Sequence, residues 1–177
     1  MARDAASQKR NLTASLEKYI QTTLVTTDTV KMGFPGVPFV TRGLTTWAEM
    51  AYVSILPIRE YARGNATDSA SDYNLMFQIA CFCHRKDSAG KPINRLSLLA
   101  VCDAVDGRFC LGKEIDIYDY AATPTSTTSI GTMFVNHIDC RTMADARSTS
   151  SAVDLDAGTD AWVYTIILRG TAVHGNT

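Results

Sequence analysis

The sequence predicts an α+β fold: a mixed or antiparallel four- to five-stranded sheet with two helices packed on one face. Three observations predict it. Apolar residues recur at helical spacing near the start (Leu12, Leu16, Tyr19, Ile20, Leu24) and again mid-chain (Leu98, Leu99, Cys102, Val105). Runs rich in β-branched and aromatic residues surround the second stripe, ending in WVYTIILRGTAV. No repeat is visible at a period that would signal a solenoid or propeller, so 177 residues read as a single domain over 1–177.

The first helix is expected over Arg3 to about Thr27, with the Thr pairs at 22–23 and 26–27 weakening its end. Gly33 to Thr45 reads as a stiff strap. Pro35 and Pro38 cannot donate to a strand ladder, and they push Phe34 and Val37 towards extended geometry. Thr46–Leu56 alternates as a strand, which Pro57 ends or marks as an edge. Tyr73–His84 should pair back on it as a hairpin; it is apolar on both faces and therefore central. The second helix is expected from about Pro92 to Asp106, started by Pro92 or Asn94 and stopped by Gly107. Glu114–Tyr120 is a short strand or extended edge, and Ile130–Cys140 and Trp162–Val173 are the closing strands. Long polar loops fall near 64–72, 121–129 and 141–160.

Composition excludes several function classes. Hydrophobic residues make up 46% of the chain, enough for a real core, while the formal net charge is -1. A dedicated nucleic-acid binder gains affinity by neutralising phosphates, and the short basic pairs Lys9-Arg10 and Arg85-Lys86 read instead as solvated surface. No apolar run is long enough to span a membrane. The polar start MARDAASQKRN has no apolar leader, so the sequons at Asn11 and Asn65 read as chance matches. Five cysteines then read as reduced thiols of a cytosolic compartment.

Candidate chemistry is sparse. Cys81-Phe82-Cys83-His84 resembles half a zinc site, but no second ligand pair follows and His84 points to the opposite strand face from both cysteines. His84, His137 and His174 could each serve as a base for a Cys nucleophile, yet none sits in a nucleophile signature. The GRFCLGK stretch from Gly107 to Lys113 has Walker spacing, but Glu114 replaces the magnesium-binding hydroxyl and the stretch follows a helix. Asp116 with Asp119, and Asp154 with Asp156 and Asp160, are acidic groups; the second lacks the closing Glu of a calcium loop. These features read as core thiols, turns and solvated loops. What remains is surface: an aromatic strap and long Ser/Thr/Asp loops. Phe34, Phe39 and Trp47 either cap the domain's own core or present an interface.

The stretch GVPFVTRGLTTWAEMAYVSIL resembles the early loop and strand of tail terminator (tail completion) proteins of long-tailed bacteriophages. The residues that carry the likeness are Gly36, Pro38, Phe39 and Trp47, after an N-terminal helix and before a strand opening on the aromatic. The later layout is compatible: a hairpin, a helix, an extended EIDIYDY and closing strands. The resemblance implies a structural virion protein with no catalysis and no cofactor. It implies a ring, a homohexamer, on the head-proximal end of the tail tube. That ring ends tube polymerisation and offers a joining surface. The implied partners are further copies of the chain, the tail tube protein and a head-completion or connector protein, with DNA passing through the lumen without sequence-specific binding. The implied location is the neck of the virion, after assembly in the host cytoplasm. On this reading Phe34, Pro38, Phe39 and Trp47 are the candidate assembly interface. The alternatives are another head–tail connector or tail-tube subunit, or a small α+β enzyme or ligand-binding domain using His84 or His137.

Overall fold

The computed structural model describes residues 5–63, 68–120, 128–143 and 159–175. Helix α1 (Ala5–Ile20) runs directly into a π-helical segment (Gln21–Thr27). Strand β1 (Met32–Gly33), strand β2 (Thr46–Arg63) and strand β3 (Asp68–His84) follow. Helix α2 (Leu96–Arg108) leads to β4 (Glu114–Tyr118), β5 (Ser129–Met143) and β6 (Thr159–Gly175). The strands form one mixed sheet in the order β1-β2-β3-β6-β5-β4, antiparallel at every junction except β1–β2. The α+β class holds, with six strands where four to five were expected. The extra strand is β1, whose two residues are too short to show a period.

Both helices bury on the same face of the sheet. Leu12, Leu16, Ile20 and Leu24 from the first helical segment and Leu98, Val101, Cys102 and Val105 from α2 share one core with alternate residues of β3, Tyr73 to Cys83. Ile115, Ile117, Met133, Val135, Tyr164, Ile166 and Leu168 extend that core across β4, β5 and β6. Each fully buried aliphatic side chain contributes about 1.5–3 kcal/mol, so this stripe, not intrinsic propensity, holds α1 in place.

The same helix buries two polar residues, Asn11 and Ser15, each 1% exposed. Their oxygens accept the backbone N–H groups of Tyr120 (2.8 Å) and Tyr118 (2.9 Å). Thus α1 satisfies outward backbone N–H groups where the edge strand β4 ends. It also reaches β2: the Tyr52 hydroxyl donates to a Glu17 carboxylate oxygen (2.9 Å) and contacts the Thr13 carbonyl (3.3 Å). In a flat sheet β2 and β4 would lie roughly 19 Å apart, at about 4.8 Å per strand spacing. One helix about 10 Å wide touches both, so the sheet curls around α1. Gly170 in β6 permits the close packing this needs, since a Cβ there would sit 2.6 Å from the Met133 Cβ. The Asn11 Nδ2 and the Tyr120 hydroxyl are buried without a partner among the described residues.

The first helical segment ends where expected, at Thr27, but differs in kind; Arg3 and Asp4, where the expected helix begins, lie outside the described residues. Its threonine-rich end widens into π turns. The hydroxyls of Thr26 and Thr27 donate to the carbonyls of Gln21 and Thr22, five residues back. The Asp28 N–H continues the pattern to the Thr23 carbonyl, and the Val30 N–H closes on the Leu24 carbonyl. Thr29 makes the reversal with φ 58°, a position normally given to glycine. Strands β2 and β3 run well past their expected ends. Pro57 does not stop β2: the register shifts between Pro57 and Arg59, on the stretch that β1 leaves without an outer strand among the described residues. Residues 68–72, expected as loop, pair with both β2 and β6, so the ladder overrides their polar composition. Of the expected polar loops, residues 64–67, 121–127 and 144–158 lie outside the described residues.

Helix α2 begins later than expected. The Asn94 side-chain oxygen accepts the Leu96 N–H, and Pro92 instead bridges to Lys86. Nor is Gly107 the stop. The helix continues to Arg108, whose guanidinium grips Asp28 in a two-pronged pair (2.6 and 2.8 Å), and Phe109 is fully buried beyond it. The Tyr19 hydroxyl donates to the Arg108 carbonyl at 2.8 Å, tying the same two helix ends together.

Two predictions follow from these helix ends. The left-handed conformation of Thr29 costs about 1–2 kcal/mol in a residue with a Cβ. Thr29→Gly therefore raises stability by up to about 1 kcal/mol in urea unfolding, after glycine's greater unfolded-state entropy is subtracted; a loss of stability contradicts this. Separately, the hydrogen bond from Arg108 holds the Asp28 carboxyl below its usual value of 3.8, against the opposing effect of partial burial. A depressed carboxylate stabilises the fold above its unfolded pKa, and that contribution disappears as the pH falls through the folded one. As the pH falls below the usual carboxylate range the wild type should lose stability more steeply than Asp28→Asn; superimposable pH profiles contradict the pair's contribution.

Candidate assembly interface

The strap is built from two turns and two anchors. In the first turn, Phe34-Pro35-Gly36-Val37, the Val37 N–H reaches the Phe34 carbonyl at 3.1 Å and Gly36 takes φ 75°. Proline at the second position and glycine at the third is the composition of a type II turn. In the second, Thr41-Arg42-Gly43-Leu44, the Leu44 N–H reaches the Thr41 carbonyl at 3.0 Å and Gly43 takes φ 84°. Only glycine adopts such angles without strain. The strap is therefore shaped by its own backbone.

The anchors point in different directions. Phe34 packs against the main core. Phe39 folds back over Gly33, where a Cβ would meet its ring at 3.0 Å. With Leu44, Phe39 also covers a second, smaller cluster of Trp47, Phe82 and Ala161 on the face away from the helices. Trp47 stacks on Phe82 (centroids 5.2 Å, 21°) and lies 4.8 Å from the His84 ring. Its indole N–H donates to a Glu49 carboxylate oxygen at 2.8 Å. The Thr159 hydroxyl and His84 Nδ1 are 3.2 Å apart, and Arg85 pairs with Asp160 beside them at 2.8 Å.

Of the four residues expected at an interface, Pro38 is exposed, Phe34 and Phe39 are half-buried, and Trp47 is 1% exposed. Trp47 is thus a core residue of this chain and supports the strap from below. Besides Pro38, the strap exposes two apolar side chains that were not among the expected interface residues: Val37 (60% exposed) and Val40 (75%). The signal was present in the two x-x-Gly-x turns, which fix which side chains of a short strap point inward.

The other candidates separate in space. Cys81 and Cys83 are buried on the helix side, while His84 stands on the strap side. A hydrogen bond with Cys102, together with burial, holds the Cys81 thiol protonated. The Cys83 thiol lies 3.3 Å from the His84 carbonyl. His84, His137 and His174 stand at the levels of Thr159, Ile167 and Ser69 in the ladder, the last being His174's own partner. Adjacent levels differ by seven or eight residues, roughly 25 Å, so the histidines do not converge. The Gly107–Lys113 stretch docks on β5, with the Gly112 N–H donating to the Val135 carbonyl and the Val135 N–H to the Lys113 carbonyl. Asp160 pairs with Arg85, Asp116 is exposed, Asp119 is buried, and Asp154 and Asp156 lie outside the described residues. Among the described residues no three His, Cys, Asp or Glu side chains converge as metal ligands, and no helix is long and apolar enough to cross a membrane.

No family model matches the chain, and no curated protein matches it. Eighteen solved chains match it. One, which carries no functional name, aligns over 94% of this chain and 95% of its own, with 13% identity and a TM-score of 0.48. A likeness at that level carries nothing about function.

The packing beneath the strap predicts how it fails. Trp47→Ala should cost about 3–5 kcal/mol, as for other large core truncations, and should speed tryptic cleavage after the exposed Arg42. Wild-type stability and cleavage in that variant contradict the role of the second cluster.

Proposed function

We propose that the chain is a structural virion protein of the tail-terminator kind. It forms a ring, a homohexamer, on the head-proximal end of a phage tail tube. The ring ends tube polymerisation and presents a joining surface to a head-completion or connector protein. Its partners are other copies of itself, the tube protein and that head-side protein. DNA passes through the lumen without sequence-specific contact. The protein resides in the neck of the virion and needs neither cofactor nor catalytic group.

One observation supports this reading most. The strap is a rigid, self-shaped loop that turns Val37, Pro38 and Val40 outward from a firmly anchored base. Ordering a flexible loop on association costs free energy, and a loop already ordered avoids that cost. Such a device suits an assembly contact. The near-neutral net charge of -1 suits a surface past which DNA must slide.

The double substitution Val37→Asp with Val40→Asp tests the reading. It should leave circular dichroism and thermal unfolding close to wild type, because both side chains are exposed. It should abolish ring formation and tail capping, measured by native mass and by electron microscopy of tail lengths. Rings and capped tails at wild-type yield would overturn the role of the strap.

A further inference from the structure

Among the described residues the sheet has two half-edges without an outer strand. On one side, β1 covers β2 only at Ala48 and Glu49, leaving residues 50–63 with no outer strand neighbour among the described residues. On the other, β4 covers β5 from Ser129 to Phe134, and the Gly112–Lys113 turn takes both backbone groups of Val135. Residues 136–143 of β5 then have no outer strand neighbour among the described residues. That shorter stretch alone spans roughly 26 Å at 3.3 Å per residue. Unpaired edges of this length are templates for strand addition unless something occupies them.

We infer that the occupant is a second copy of this chain: residues 136–143 of one copy add antiparallel to the far half of β2, near residues 56–63, of the next. Three features select a copy over an unrelated strand. Both halves of the joint lie on the same sheet, on opposite sides. Three antiparallel junctions separate β2 from β5, so the two run in opposite directions, and neighbours in the same orientation meet antiparallel. The short strands also act as stops at opposite ends. β1 sits at the level of Cys81, whereas β4 sits around the level of Ser71. Clearing β4 requires one copy to shift along the strands by about eight residues, from the level of Met76 (His137) to that of Asp68 (Arg63). An even shift keeps helix-side residues beside helix-side residues. A stagger of this kind is what a sheet needs in order to close on itself, and the contact is heterologous, as ring formation requires.

The inference rests on the proposed self-assembly but names a different contact from the strap. It is tested by cross-linking. Cys140 lies in the free half of β5 and is exposed; Cys110 is the other exposed thiol. In a Cys110→Ser background, Glu60→Cys or Ala62→Cys is treated with a short bis-maleimide over a range of protein concentrations. The expected result is covalent dimers and larger species joined from Cys140 to position 60 or 62, lost when Cys140→Ser is added. A strict monomer with no such link overturns the inference. So does a chain that stays monomeric while an added extended peptide alone protects residues 136–143 from hydrogen exchange. Closed rings that cross-link through cysteines placed at Val37 or Val40, but not through Cys140, overturn the edge contact and leave the terminator reading standing. Cross-linked open ladders without rings keep the edge contact and overturn the ring.

Discussion

Everything in this fold depends on helix α1 being able to bury two polar residues in an apolar stripe. Asn11 and Ser15 are acceptable inside only because backbone N–H groups of the β4 end reach them. The same two bonds take up outward backbone N–H groups at and just beyond the end of the edge strand β4. With Tyr52 reaching the helix from the other side of the sheet, α1 fixes the curl of the whole sheet. The curl then fixes what lies outside: a helix-covered concave side, a partly open convex side, and two half-edges displaced to opposite ends.

The strap belongs to the convex side. A single aromatic loop does two jobs there because its side chains divide between the inner cluster and solvent. Phe39 and Leu44 face inward and complete the cluster around Trp47, while Val37 and Val40 face outward. Burial of the indole anchors the loop, and two positive-φ glycines shape it. Stability and surface presentation are thus linked: loosening the inner cluster disorders the outer surface.

Periodic features were legible in the sequence, and tertiary ones were not. The stripes of Leu12, Leu16, Ile20 and Leu24 and of Leu98, Leu99, Cys102 and Val105 indicate the two helices, and the alternation of β3 indicates the central hairpin. Strand ends were misjudged where pairing overrode composition: Asp68 to Asp72 reads as loop, yet partners on both sides hold it in the ladder. Strand β1 was invisible because two residues carry no period. Gly107 looked like a helix stop, but the Asp28–Arg108 pair and the burial of Phe109 carry the helix past it. At the candidate interface the strap itself was legible from its prolines and glycines. Of its outward residues Pro38 was expected and Val37 and Val40 were not, because the two glycine turns had to be read as turns before the inward and outward side chains separate. For Trp47 the sequence leaves core and interface equally open, because aromatic residues suit both, and the packing places it in this chain's own core.

An assembly subunit built this way should reveal itself without any partner. The most direct measurement is the native mass of the unmodified chain by light scattering over a wide concentration range, with negative-stain images of the same samples. The account predicts rings with a central hole and the mass of six 19.3 kDa chains, growing in with concentration. A stable dimer, or a monomer at every concentration with no rings in the images, would contradict it.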